Sequence, residues 1–357
     1  MIHNLIQQMA EIPFFSSLTF GIIAMIIVGS SWCLIGFVMG DAPKHNIDPG
    51  FIQFLGSIVS VIIGVSIMFA TDSLPTNVPA RVLWPALGAL FLGSLLNFFM
   101  LQIMSYAMQR GPNGIIWAII QSALISPAVC SYLIFKQVLS SYQIIGICLI
   151  VIALILFSFA KDNSNKGNGW KLPTAVCFIL VSIQQNLTTA PSYYPDTQAI
   201  SSIVRALASA FGILIPSLIF MIRKVCAGHI NELKTTMKNP VLWKYVIALQ
   251  GFTLLFAYTL FYPGFDAMSN YGTSGMCYPM MVGSCIISFT LTSVLILKEK
   301  LVKIQFFALI FCILGFLGLC FPVKVLDAFS NNDQPAAEQF IGNAGKESFS
   351  QENGEEE

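Results

Sequence analysis

Charge is what this 357-residue sequence has least of: Asp, Glu, Lys and Arg make up 10% of it, against roughly a quarter in an ordinary globular protein. Hydrophobic residues account for 56% and the mean hydropathy is +0.76. No water-soluble fold hides that much apolar surface, so a soluble enzyme is excluded. Neither sign of charge is in excess, with 18 Lys and Arg against 17 Asp and Glu, which excludes a basic nucleic-acid binder and an acidic solvating chain. Histidine is scarce, and His3, His45 and His229 all fall in polar segments. No His-x-x-His, Asp-rich or Ser-His-Asp grouping occurs, and the longest loop on the Lys-rich side is about 18 residues. These absences weigh against a membrane-embedded lipid-linked transferase, which needs acid/base or metal-binding groups converging at one membrane face. A channel is disfavoured for want of a polar pore stripe. No cofactor or metal is expected. The nine cysteines (Cys33, Cys130, Cys148, Cys177, Cys226, Cys277, Cys285, Cys312 and Cys320) have no paired spacing and sit in or beside apolar runs, where they read as reduced packing residues.

What the sequence does have is long apolar runs. A membrane-spanning helix needs about 20 mainly apolar residues, and ten such runs are legible: 17-40, 50-70, 82-108, 112-135, 141-160, 172-190, 199-222, 241-263, 273-297 and 303-322. They are continuously apolar rather than alternating, which predicts helices rather than a barrel. The sixth is the least regular, because Gln184, Gln185, Asn186, Thr188 and Thr189 interrupt it before Pro191. Met1 to Glu11 carries no Lys or Arg and the run that follows is too long for a signal peptide, so the first run is expected to be retained as a membrane helix. The acidic tail, 323-357, is expected to be disordered.

Lys and Arg resist translocation, so their distribution orients the chain. With ten spans, thirteen of the eighteen fall on one side: Lys44, Arg110, Lys161, Lys166, Lys171, Arg223, Lys224, Lys234, Lys238, Lys244, Lys298, Lys300 and Lys303. That side is expected to be cytoplasmic, with both termini outside, in a multi-pass protein of the cytoplasmic (inner) membrane.

The two halves of the chain also resemble each other. At an offset of 162 residues, Lys136-Gln137-Val138-Leu139 meets Lys298-Glu299-Lys300-Leu301, and Gln143 meets Gln305. Gly111 and Gly114 open the fourth span as Gly272 and Gly275 open the ninth, and Ala107-Met108 matches Ala267-Met268. The expected fold is therefore all-α and integral to the membrane, with ten transmembrane helices built as two five-helix repeats. After an N-terminal segment (1-16) these are 17-160 and 172-322, joined by a cytoplasmic linker at 161-171. An odd number of spans per repeat inverts the second copy in the bilayer, the arrangement that gives carriers two nearly equivalent packings around a midplane site.

This five-plus-five layout resembles the drug/metabolite transporter superfamily. Within it the likeness is to the L-rhamnose-proton symporter family, carried by Ser31-Trp32-Cys33-Leu34 followed by Ile47-Asp48-Pro49, by the Arg205-bearing seventh span ending in Phe220-Met221-Ile222-Arg223-Lys224, and by Leu295-Ile296-Leu297-Lys298-Glu299. The resemblance implies a carrier of a small polar metabolite, most plausibly a neutral monosaccharide, either facilitative or proton-coupled. An exporter of amino acids or other metabolites, which the same superfamily contains, stays open as the alternative, as does a homodimer.

Polar residues within apolar spans are the default site candidates. A neutral sugar needs paired donors and acceptors and an aromatic face, hence Asn, Gln, Tyr and Trp. Trp117 and Gln121 lie one turn apart on the fourth span, Gln102 and Tyr106 on the third, and Gln250, Tyr258 and Tyr262 share one row of the eighth. Trp32, Asn97, Gln184, Gln185, Asn186 and Tyr278 complete the inventory. The substrate-binding candidates are Trp32, Asn97, Gln102, Tyr106, Trp117, Gln121, Gln185, Arg205, Gln250, Tyr258 and Tyr278. Tyr193, Tyr194 and Tyr262 read instead as interfacial belt residues. Arg205 is the one basic residue well inside a span rather than at its end, with snorkelling outward as the competing role. Asp266, near the outer end of the eighth span, is the expected coupling acid. Gly88 with Gly93, Gly146, and Gly315 with Gly318 are expected to permit close helix approach. Pro127, Pro216 and Pro279 are expected to kink their helices.

Overall fold

A computed structural model describes residues 17-75, 78-111, 113-137, 139-159, 168-295 and 303-320. Among these residues every regular element is helical: α1 Leu18–Ser31, α2 Cys33–Asp41, α3 Pro49–Ala70, α4 Ala80–Met108, α5 Asn113–Gln121, α6 Ile125–Leu133, α7 Ser141–Phe159, α8 Lys171–Thr189, the single turn α9 Pro195–Gln198, α10 Ser202–Cys226, α11 Ile230–Met237, α12 Pro240–Phe256, α13 Tyr262–Asn270, α14 Cys277–Leu295 and α15 Lys303–Cys320. Four stretches are long and apolar enough to cross a membrane: Leu18–His45, Pro49–Ala70, Ala80–Met108 and Ser202–Cys226. Shorter apolar helices occupy Ile119–Leu133, Ser141–Leu156 and Lys303–Leu319. The N-terminal segment, most of the linker, the Lys298-Leu301 corner of the repeat and the acidic tail lie outside the described residues.

Local chemistry sets the helix starts. Ser17 accepts a hydrogen bond from the Phe20 amide at 3.1 Å, Asp48 from Gly50 at 2.7 Å with Pro49 in the first turn behind it, and Ser201 from Val204 at 3.4 Å. Each satisfies an amide that the first helical turn leaves without a partner. The irregular sixth run still forms α8, because its polar side chains turn back on their own helix. Thr188 donates to the Gln184 carbonyl at 2.9 Å, Thr189 to that of Gln185 at 2.8 Å, and Asn186 to that of Ser182 at 2.7 Å.

Three breaks interrupt otherwise continuous helices. The first separates α1 from α2 at Trp32, whose amide donates to the Gly29 carbonyl in a tightened turn, while the Ser31 hydroxyl donates to the Val28 carbonyl at 2.6 Å. Such back-bonding bends helices. The second is a 3-10 turn, Ser122–Leu124, between α5 and α6; Pro127 has no N–H to return to the carbonyl of Ala123. The third is a π-helical turn, Ala257–Phe261, between α12 and α13, where Pro263 likewise has none for Thr259. Pro127 thus breaks its helix as expected. Pro216 sits inside the uninterrupted α10. Pro279 falls in the first turn of α14, where a missing N–H costs nothing, so the expected kink there does not occur.

Helices pack in a defined set of pairs: α7 with α15, α4 with α8 and α10, α3 with α10 and α12, α1 with α13 and α14, α5 with α7 and α8, and α14 with α15. Glycine permits the closest of these. A Cβ on Gly146 would stand 2.7 Å from the Gly315 carbonyl oxygen, and one on Gly315 would stand 2.7 Å from that of Gly146, so α7 and α15 touch backbone to backbone. A Cβ on Gly29 would lie 2.4 Å from Met281 Cα, which brings α1 equally close to α14. Gly93 faces α8, but the expectation for Gly88 is corrected: nothing lies within 4 Å of where its Cβ would be, so it mediates no close approach.

Gly146→Ala should therefore lower the melting temperature, because backbone atoms cannot step aside as a side chain end can, and overpacking of this kind costs about 1–3 kcal/mol. Gly88→Ala should not lower it. Equal melting of the two purified variants would remove this account of the α7–α15 contact.

Candidate functional site

Two of the three helix breaks contribute directly to the wall of one cavity, and the third begins immediately beyond it. The cavity has a volume of ≈ 290 Å³ and draws its lining from α1 to α5, α8, α10, α12 and α13. Trp32 enters at the α1–α2 break, Trp117 and Gln121 from the last turns of α5, and Phe261 with Tyr262 at the π-helical turn. Irregular backbone inside an apolar bundle is tolerated where it lines a polar space.

Of the expected site residues, Trp32, Asn97, Trp117, Gln121, Gln185 and Gln250 line this cavity together. They arrive from segments far apart in sequence, and small residues make room for them. Gly36 on α2 leaves space for the Trp117 indole, whose Cη2 would be 3.3 Å from a Cβ there. Gly56 on α3 lets the Gln250 carboxamide lie across it, and Gln250 Oε1 accepts a hydrogen bond from Ser60 at 2.7 Å. Among the described residues lining the cavity none is charged.

The remaining expectations are placed elsewhere. Gln102 and Tyr106 face a second, more open pocket of ≈ 380 Å³ between α4 and the Pro43–Pro49 loop, and Tyr106 is exposed, with the Arg110 guanidinium over its ring at 3.3 Å. Tyr278 is buried behind Trp32, ring centroids 5.9 Å apart, and supports that indole from outside the cavity. Asn186 donates to Ser126 at 2.7 Å and ties α8 to α6. The side chain of Tyr258 lies outside the described residues.

Arg205 and Asp266 find each other. Arg205 Nη1 donates to Asp266 Oδ1 at 2.9 Å and Nη2 to Oδ2, a bidentate pair that fits the planar fork of guanidinium to carboxylate. The Arg205 side chain is 2% exposed and that of Asp266 16%. Arg205 therefore does not snorkel outward and does not line the cavity, since it is buried and its charge is paired with Asp266, a residue from another helix that no spacing in the sequence relates to it. Tyr262 is corrected as well. It is buried rather than interfacial, it lines the cavity, its hydroxyl is 2.7 Å from that of Ser209, and the Arg205 guanidinium carbon lies 5.0 Å from its ring centroid. One ring therefore separates the ion pair from the cavity.

At the opposite end of the bundle, the Lys-rich one, Tyr245 donates to Asp41 at 2.6 Å, and Asp48 is paired with Lys224. These contacts tie α2 to α12 and α3 to α10. Sequence reasoning passed over Gln53, Ser60 and Ser209, which line the cavity as well. The signal for Gln53 was available, since it is the single carboxamide of α3, but its position four residues after Pro49 makes it resemble a helix-end residue.

Residues 19–159 match the EamA-like transporter family, whose members are membrane transporters of small metabolites. The match takes in α1 to α7, and so the first half of the cavity wall. It carries the resemblance to drug/metabolite transporters and says nothing of an L-rhamnose-proton subgroup. No curated protein matches the chain. Among the solved structures similar in fold, one crystal structure has a TM-score of 0.59 at 13% identity, over 88% of this chain and 99% of its own.

Removing one partner of the buried ion pair strands the other. Arg205→Met should cost about 3–5 kcal/mol of stability, and the double change Arg205→Met with Asp266→Leu should recover much of it. A melting curve for the single variant that overlays the wild type would show that the pair contributes nothing.

Proposed function

We propose that the protein is a secondary transporter that moves a small, uncharged polar metabolite across the cytoplasmic membrane by alternating access, with a neutral monosaccharide of the L-rhamnose kind as the substrate class. The observation that carries the reading is the cavity: aromatic rings and carboxamides from both halves of the chain around one space, with no charged group among its described lining residues. Aromatic faces suit a sugar ring and carboxamides suit its hydroxyls. A resident Arg or Asp in the wall would instead have favoured a charged substrate.

Alternating access draws support from the packing. Taking α1–α2 as the first segment, α3, α4, α5–α6 and α7 as the next four, and α8, α10, α12–α13, α14 and α15 as the sixth to tenth, each packing pair has a counterpart five segments on. The pair α4·α8 corresponds to α12–α13·α1–α2, α4·α10 to α12·α3, α14·α1 to α5–α6·α8, and α14·α15 to α5·α7. The pairs α7·α15 and α3·α10 map onto themselves. Two inverted five-helix repeats would produce this scheme. Gln137 adds a contact between the two halves, donating to the Ser274 hydroxyl at 2.9 Å and accepting from the Gly275 amide at 3.3 Å. In this reading the Lys-rich end faces the cytoplasm and both termini lie outside. Proton coupling would have to pass through Asp266, which the Arg205 pair holds, one ring away from the cavity.

The test is entry of labelled L-rhamnose, other 6-deoxyhexoses, hexoses and a set of amino acids into proteoliposomes, with and without an inward proton gradient. Sugar entry that falls at least tenfold in Trp117→Ala and in Gln121→Ala, with folded protein retained, is the expected result. Amino acids moving alone would replace the sugar reading with the exporter reading, and unaltered entry in both variants would remove the cavity as the site.

A further inference from the structure

Most polar side chains around the cavity already have partners. Gln250 is held by Ser60, Gln184 donates to Thr188 at 3.4 Å, and Ser209 meets Tyr262. Two carboxamides there carry polar atoms that are fully buried and have no hydrogen-bond partner. Gln53, on α3, is 7% exposed, and neither its Oε1 nor its Nε2 has a hydrogen-bond partner. Gln185, on α8, is 3% exposed, and its Oε1 has none. Both residues line the cavity, one from each half of the chain.

An amide buried without partners costs about 1–3 kcal/mol, and a fold keeps such a group where something else uses it. Glutamine also has apolar near-isosteres, methionine among them, that would fill the same space at lower cost. Its retention in a wall otherwise built from aromatic and aliphatic side chains points to a ligand.

We propose that Gln53 and Gln185 form the grip of the transport site, and that Gln53 selects ligands bearing adjacent hydroxyls. The inference rests on the transport reading above and narrows it. A carboxamide presents one acceptor and one donor group side by side. A vicinal diol offers the complementary edge, since one hydroxyl donates to Oε1 while its neighbour accepts from Nε2. A free amino acid offers a matching edge as well, its ammonium donating to Oε1 and its carboxylate accepting from Nε2, but both charges would lose their hydration against a wall with no charged group among its described lining residues. With Gln185 reaching the same ligand from the other half, an occupied site joins the two halves through the substrate, and ligand binding is thereby linked to their relative movement.

The decisive variant is Gln53→Met, which keeps length and removes both polar atoms. Two readouts are taken on the full chain. Without any sugar, the variant should melt about 2 °C or more above the wild type, because an unpaired amide has been replaced by an apolar group. In proteoliposomes it should weaken half-saturation for labelled L-rhamnose about tenfold or more, and unlabelled 6-deoxyhexoses with adjacent free hydroxyls should compete with the wild type far better than with the variant. A melting temperature equal to or below that of the wild type would mean that Gln53 has a structural partner, and overturns the proposal. So would unchanged half-saturation, or wild-type transport of amino acids alone. If the wild type moves no sugar and no amino acid, the transport reading fails separately, and the ligand-free melting temperature alone decides whether Gln53 is held at a cost.

Discussion

Lipid offers no hydrogen bonds, so every backbone amide and carbonyl within the apolar segments must be satisfied by the protein itself. That constraint makes the chain helical, and it gives meaning to the places where the helices stop being regular. The turn at Trp32, the 3-10 turn Ser122–Leu124 and the π-helical turn Ala257–Phe261 all lie at or beside the same cavity. π-helical turns occur often at functional sites for the same reason: they release backbone groups where something polar can use them.

The rest of the bundle is arranged so that this centre can exist. Gly146 with Gly315, and Gly29 against Met281, draw helix backbones together, since lipid supplies no hydrophobic drive and packing must supply the attraction. At the centre the same device works in reverse. Gly36 and Gly56 leave room that Trp117 and Gln250 fill with side chains rather than backbone. Small residues thus close the backbone contacts and furnish the cavity wall with larger groups.

No described residue lining the cavity is charged, and charge is used at its two ends. Arg205 and Asp266 neutralise each other beyond the Tyr262 ring, while Asp48 with Lys224 and Asp41 with Tyr245 fasten the Lys-rich end. A wall with neutral donors and acceptors favours a ligand without net charge, since an ion entering it would lose its hydration and meet no opposite charge.

Much of the architecture was legible in the residues. Composition and run length identified apolar helices, four stretches of which are long and apolar enough to cross a membrane, and the polar-interrupted sixth run is helical as well. Six of the substrate-binding candidates named from the sequence share a cavity, because polar groups in an apolar run stand out whatever the tertiary arrangement. Three things could not be read in one dimension. Arg205 and Asp266 lie 61 positions apart, and nothing in either helix signals the other. Tyr262 looked interfacial because a tyrosine beside a proline near a helix end usually is; the π-helical turn and the continuation into α13 carried it inward. Gln53 was hidden by its nearness to Pro49. The sequence by itself determined the solvent, the helices and the chemistry that could be offered to a ligand, since these depend on side-chain type and period. Only the tertiary structure decided which groups face one another and which are left without partners, since those depend on contacts between segments that the chain brings together from opposite ends.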